Sequence, residues 1–214
     1  MARRGAEQYC FEAYEHEARS QGFLWIAGLD EVGRGPLAGP VVAGAVVLPV
    51  ESHIPGLRDS KRLTALQRDK VYQHIVREAV TYGVGIISHT QIDQHNILWA
   101  TKAAMLAALQ QLQCVPDLLL IDGVASLPIE RPQRLVVRGD ARCASIAAAS
   151  VVAKVTRDRL MQGYAAEYPL YGFDQHKGYP TPEHYRRLRL YGPCLIHRRS
   201  FRGVVPEHAS GRGR

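Results

Sequence analysis

Leu24-Trp25-Ile26-Ala27-Gly28-Leu29-Asp30-Glu31-Val32-Gly33-Arg34-Gly35-Pro36 reads as an apolar strand that runs into two adjacent acids and then a glycine turn. Burying ionised carboxylates costs several kcal/mol unless cations or hydrogen bonds compensate, so acids placed here call for a partner. The arrangement recurs twice. Asp122 closes Leu118-Leu119-Leu120-Ile121, and Asp140 follows Leu135-Val136-Val137-Arg138-Gly139. Four acids closing strand-like runs point to a hard-metal site on the rim of a sheet, since ligands gather beyond the carboxyl ends of strands. Neighbouring strand residues point to opposite faces, so Asp30 and Glu31 share one site only where the strand ends, twists or bulges. Gly28 and Gly33 on either side permit that.

Around this stretch, strand-like and helix-like segments alternate. Residues 1 to about 22 read as a polar prefix that a helix could occupy, and strands are predicted over 24–29, 41–48 and 82–88. Thr64-x-x-Gln67 has capping-box spacing, and Val71, Tyr72, Ile75, Val76 and Ala79 form a helical apolar stripe behind it. A second helix is predicted over 97–112, ended by Pro116. Two short strands carry Asp122 and Asp140, and an Ala-rich helix follows over 145–168, stopped by Pro169. After a loop, a last helix opens at Pro182, a residue suited to a first helical turn, and stops at Gly192-Pro193. Strands interleaved with helices indicate an α/β domain whose mixed sheet is flanked by helices. The expected division is a prefix (1–22), one domain (23–205) and a tail (206–214).

Hydrophobic content of 46% and charged content of 22% are ordinary for a soluble domain. The longest apolar stretch, 40–50, is far short of the roughly 20 residues a membrane span needs. The four scattered cysteines form no C-x-x-C pair, which argues against zinc or a disulfide framework and fits a reducing cytosol. The expectation is a cytoplasmic protein with no membrane partner. Of the net charge of +7, the segment from Glu183 onward supplies +6, with eight arginines against two glutamates. Such a cluster suits a polyanion; the plain alternative is a solvated helix face and a loose tail.

Magnesium and manganese prefer oxygen ligands, which carboxylates supply together with charge. Without cations, each like-charged pair at about 4 Å would repel by roughly 4 kcal/mol at an effective dielectric near 20. The cluster therefore binds cations or holds protons. Two metals about 3.5–4 Å apart clamp the attacking water and leaving oxygen in phosphodiester hydrolysis. Taken singly, each Asp is more readily a helix cap or strand-end turn residue; the four together favour the metal site. A two-carboxylate glycosidase is a poorer fit, because its acids face each other across a sugar at least about 5 Å apart.

Gly33-Arg34-Gly35 lets the backbone approach a ligand closely, with N–H groups for phosphate or sugar and a guanidinium for phosphate. Asp59-Ser60-Lys61-Arg62 precedes a helix start and could also meet phosphate. Lys154 and Asp158 are four residues apart, which by itself reads as a surface ion pair. Tyr179, in His176-Lys177-Gly178-Tyr179, is a loop aromatic able to stack on a base or sugar or bond a ribose hydroxyl. The histidines lack metal-ligand spacing and are read as structural or phosphate contacts.

Seven blocks in order make the chain resemble a ribonuclease HII: GLDEVGRGPLAGPVVAGAVVL (28–48), DSKRLT (59–64), NILWATKAAM (96–105), LLIDG (119–123), RGDARCASIAAASVVAKVTRD (138–158), YGFDQHKGYPT (171–181) and HRRSF (197–201). The resemblance implies a ribonuclease H-like fold with a helical C-terminal extension. It implies that Asp30, Glu31, Asp122 and Asp140 are the catalytic acids and hold two Mn2+ or Mg2+ ions. Gly33, Arg34 and Gly35 match the motif that senses the 2′-hydroxyl at an RNA–DNA junction, and Tyr179 matches the tyrosine packed there. Lys61 and Lys154 match basic positions that touch phosphate. The implied activity is endonucleolytic hydrolysis of RNA in RNA–DNA hybrids and incision 5′ of single ribonucleotides in duplex DNA, by a monomer. Gly33-Arg34-Gly35 and the short prefix favour this branch over ribonuclease HIII. Val124 departs from the pattern, where the family usually has a polar residue, and a supporting hydrogen bond is expected to be missing. A junction resolvase of the same fold and a non-catalytic basic duplex-binding protein are the alternatives.

Overall fold

The computed structural model describes residues 11–50, 52–57, 63–123 and 125–205. Five strands form one sheet: β1 (Ile26–Val32), β2 (Val41–Val47), β3 (Thr81–Ile87), β4 (Leu118–Asp122) and β5 (Gln133–Val136), in the order β3-β2-β1-β4-β5. The β3-β2-β1 half is antiparallel, and β4 and β5 add in parallel to β1. The mixed sheet expected from the sequence is present. Seven helices accompany it among the described residues: α1 (Ala13–Ser20), α2 (Ala65–Glu78), α3 (His89–His95), α4 (Ile97–Gln110), α5 (Ala144–Glu167), α6 (Phe173–His176) and α7 (Pro182–Tyr191).

The period of two along each strand decides which helix covers which face. Ala27, Leu29, Ala43, Ala45, Leu119 and Ile121 share a core with Ala100, Ala104 and Ala108 of α4. The alternate residues Ile26, Leu118 and Leu120 pack with Ile146 of α5, and Val46 packs with Ala147 to Val152 of the same helix and with Val71 and Ile75 of α2. Alanines on α5 let its backbone come close to the sheet. At Gly44 the approach is so close that an added Cβ would lie 2.4 Å from the Ala149 carbonyl oxygen. A third core, built on Met161, Tyr171, Phe173, Leu188 and Ile196, fastens the C-terminal helices to Leu37 and Ala38. Among the described residues no helix is long and apolar enough to cross a membrane.

Three sequence expectations shift. The first strand runs on to Val32 instead of stopping at Leu29, because β2 keeps pairing with it through Glu31↔Ala43 and Val32↔Val42. Asp140 does not close a strand: Arg138 takes a left-handed conformation (φ 55°) after β5, and Asp140 sits in a 3-10 turn, Gly139–Ala141. Between β3 and α4 lies α3, whose Ser88–Gln91 capping box starts the helix one residue after the strand. The Thr64–Gln67 box does open α2 as read from its spacing. In the prefix, α1 inserts Ala18 beside Ile26 and Leu118, and Glu15 accepts bonds from both the Ser145 N–H (2.9 Å) and its hydroxyl (2.7 Å).

Candidate active site

Strands β1 and β4 are parallel neighbours with Leu29 opposite Ile121, so the next residues, Asp30 inside β1 and Asp122 at the end of β4, come side by side. By the alternation that sorts the two cores, both belong to the face covered by α5. Asp30 is 7% exposed, and burial, reinforced by the charges of Asp122 and Glu31, pushes its carboxyl up to about 7. The nearby Ser150 side chain of α5 opposes that rise. Glu31 lies on the other side of the pleat, half-buried. Burial raises its pKa too, against the hydrogen bond and charge of Arg34, whose guanidinium stands 3.2 Å away. Asp122 Oδ1 accepts the Gly139 N–H at 2.7 Å, which tethers the turn carrying the buried Asp140 beside β4.

Three of the acids thus feel one another's charge, and the turn bearing the fourth is tied to them. Their oxygens are turned to local donors: Asp30 to the Glu31 N–H, Glu31 to Arg34, Asp122 to Gly139. Accordingly, among the described residues no three His, Cys, Asp or Glu side chains stand together closely enough to hold an ion. The donor chemistry nevertheless fits divalent cations. It is all oxygen, and the repulsion and burial that raise Asp30 are what an adjacent cation would reverse.

Next to the acids, the chain from Gly33 to Pro40 is shaped from beneath by two arginines that are 0% exposed. Arg198 donates to the carbonyls of Gly33 (2.6 Å), Arg34 (2.9 Å) and Gly39 (3.0 Å). Arg157, on α5, donates to Pro40 (3.0 Å), Ala38 (3.1 Å) and Lys177 (2.9 Å). Gly33 has φ 94°, the left-handed side that glycine tolerates, and a Cβ there would fall 2.3 Å from Arg157 Nε. Tyr179, 37% exposed, reaches over the loop: its Cε1 would lie 3.9 Å from a Cβ on Gly35, and the Arg157 guanidinium is 5.7 Å from its ring centre. The structure therefore gathers Gly33, Arg34, Gly35 and Tyr179 into one rim beside the acids.

Lys154 Nζ is 2.6 Å from Asp158 Oδ1, the ion pair that the spacing alone suggested. It lies on the helical stripe between Ser150 and Arg157, one turn from each. Lys61 and Val124 fall outside the described residues. The basic C-terminal segment is less available than its composition implies. Arg198 is buried, and Arg186 and Arg187 both pair with Glu183. Of the histidines read as structural or phosphate contacts, His197 is buried against His184 of α7, their rings meeting Nε2 to Nε2 at 3.0 Å. Sequence reasoning missed Ser150, Arg157 and Arg198. No local spacing marks a side chain whose partners are distant carbonyls.

Comparison with solved structures places the fold among the type 2 ribonucleases H. Ribonuclease H2 from Pyrococcus horikoshii OT3 superposes with a TM-score of 0.72 at 30% identity, covering 84% of this chain and 95% of that one. Bst-RNase HIII in complex with Mn2+ shares the fold at TM-score 0.66 and 20% identity, covering 87% of this chain and 70% of that one. Within that class, the chain belongs to the ribonuclease HII family, whose model matches residues 27–204. It is 52% identical to ribonuclease HII of Bacillus licheniformis over 198 residues, 92% of this chain and 77% of that protein. It is also 52% identical to ribonuclease HII of Bacillus subtilis over 192 residues, 90% and 75% of the two chains. Membership makes it a hydrolase, a metal-dependent endoribonuclease acting on RNA–DNA hybrids.

Proposed function

We propose that this enzyme, beyond cutting RNA in RNA–DNA hybrids, incises duplex DNA on the 5′ side of a single embedded ribonucleotide, leaving 3′-hydroxyl and 5′-phosphate ends. The observation that carries the reading is the adjacency of Asp30 and Asp122 on one face, next to the rim formed by Gly33, Arg34, Gly35 and Tyr179. Asp30, Glu31, Asp122 and Asp140 would hold two divalent ions, Mg2+ or Mn2+, which supply Lewis-acid activation of water and charge neutralisation at the phosphate. The half-exposed side chain of Arg34 supports a pairing with a backbone phosphate. The N–H groups of the glycine loop are donors for the 2′-hydroxyl, the group that separates RNA from DNA. Tyr179 offers a ring face to the sugar or base at the junction. The exposed arginines of the C-terminal segment hold the duplex without reading sequence. Such an activity serves ribonucleotide excision repair and RNA primer removal, in the cytoplasm and as a monomer.

The test is single replacement of Asp30, Asp122 or Asp140 by Asn, assayed on a duplex with one ribonucleotide in Mg2+ and then Mn2+. Each replacement is expected to lower kcat at least a hundredfold. Near wild-type cleavage by any one of them removes that residue from the proposed site.

A further inference from the structure

The two buried arginines, Arg157 and Arg198, have no place in the chemistry above, and their setting is unusual. Each lies fully inside the protein, yet among the described residues every hydrogen bond that either guanidinium makes goes to a main-chain carbonyl, and none to a carboxylate. Five of those six carbonyls belong to the single stretch Gly33–Pro40. Burying a cation costs several kcal/mol, and a loop could be anchored by neutral donors at far less cost.

A trans peptide unit points its C=O and the following N–H in opposite directions. With the Gly33 and Arg34 carbonyls drawn inward by Arg198, the N–H groups of Arg34 and Gly35 are turned outward. Both residues are exposed, and no acceptor among the described residues takes either N–H. Arg157 sets the far end of the same loop and also fixes the Lys177 carbonyl, two residues before Tyr179. The Gly178–Tyr179 peptide is held by the loop itself, through the Leu37 N–H to the Gly178 carbonyl at 2.8 Å. Both halves of the rim thus hang on the same pair of guanidinium groups.

We propose that Arg157 and Arg198 are positioning residues for ribonucleotide recognition: they hold the loop by its carbonyls so that the Arg34 and Gly35 N–H groups and the Tyr179 ring face the sugar together. This deepens the reading of the rim given above and rests on it. The fork of a guanidinium is required, since it reaches three carbonyls in fixed directions. A lysine keeps the charge but is a point donor that cannot span them.

The experiment compares Arg198→Lys and Arg157→Lys with wild type by two quantities. One is KM for a duplex with one ribonucleotide; the other is Ki for the same duplex without it. Urea midpoints confirm folding. Geometry lost with charge retained is expected to raise KM at least tenfold and leave Ki unchanged. Proportional changes in both constants, or in neither, overturn the proposal, and so does failure of both variants to fold, which would make the arginines purely structural. A wild-type enzyme whose KM and Ki are equal would instead sink the underlying reading of the rim.

Discussion

Gly44 stands opposite Asp30 in the β1–β2 pairing, and replacing it by alanine probes a close helix–sheet approach beside the acids. The new Cβ would lie 2.4 Å from the Ala149 oxygen and 3.1 Å from the Ala149 carbonyl carbon. Ordinary contact begins near 3.4 Å, so the obstruction is about 1 Å deep, and it is backbone, not a movable side-chain tip. Helix α5 must retreat, which loosens Ala147, Ala148, Val151 and Val152 from the sheet core. Overpacking a tight core costs about 1–3 kcal/mol, and a backbone obstruction belongs at the top of that range. The expected loss is therefore about 3 kcal/mol, a fall of about 1 M or more in the urea midpoint. Ser150 moves with the helix, so activity should drop as well. Gly163→Ala on the same helix is the control. A Cβ there meets nothing within 4 Å, and removing a mid-helix glycine should stabilise by about 0.5–1 kcal/mol. If Gly44→Ala unfolds at the wild-type midpoint, the argument that α5 rests directly on the strand backbone is wrong.

Burial holds His184 and His197 down at about 4, below the ordinary 6.5. Folded-state pKa values below the unfolded ones mean full stability above pH 6.5 and a progressive loss as pH falls toward 4, about 3 kcal/mol for one protonation. Urea midpoints at pH 7.5 and 4.5 should show this, and superimposable pH profiles for wild type and His197→Gln would exclude the pair as the cause. Thr64→Ala removes the α2 cap and should lower stability by about 1 kcal/mol by thermal or urea unfolding, with activity per folded molecule unchanged. Duplex binding should weaken linearly in log–log plots against salt. Arg199→Ala, an exposed residue, should reduce the slope by about 0.9, whereas Arg186→Ala, already paired with Glu183, should leave it unaltered.

The sheet and its main helices were legible because continuous apolar runs mark β1 and β4, which are buried on both faces, and an apolar stripe of period roughly 3.6 marks α2. The acids were legible because charged residues directly after Ile and Leu runs are costly without a reason. Strand ends were less so. Whether Asp30 and Glu31 lie beyond β1 or inside it depends on how far β2 continues to pair, a fact about a second segment. The turn at Asp140 hinges on Arg138 adopting a left-handed conformation that a basic residue does not advertise. The arginines mark the limit most clearly. In sequence Arg198 adds one positive charge to a basic segment, while in the fold its charge faces three peptide oxygens and touches no solvent.

Helix α5 meets Glu15 through Ser145, Asp30 through Ser150 and the Gly33–Pro40 loop through Arg157. Seven residues, two helical turns and about 10 Å of rise, separate the last two attachments. Such a rod does not stretch. The span between Asp30 and the Gly33–Pro40 loop is consequently machined into the helix, like the fixed jaws of a gauge. A one-residue insertion between Ser150 and Arg157 would swing one jaw round by about 100° and leave the tool measuring nothing.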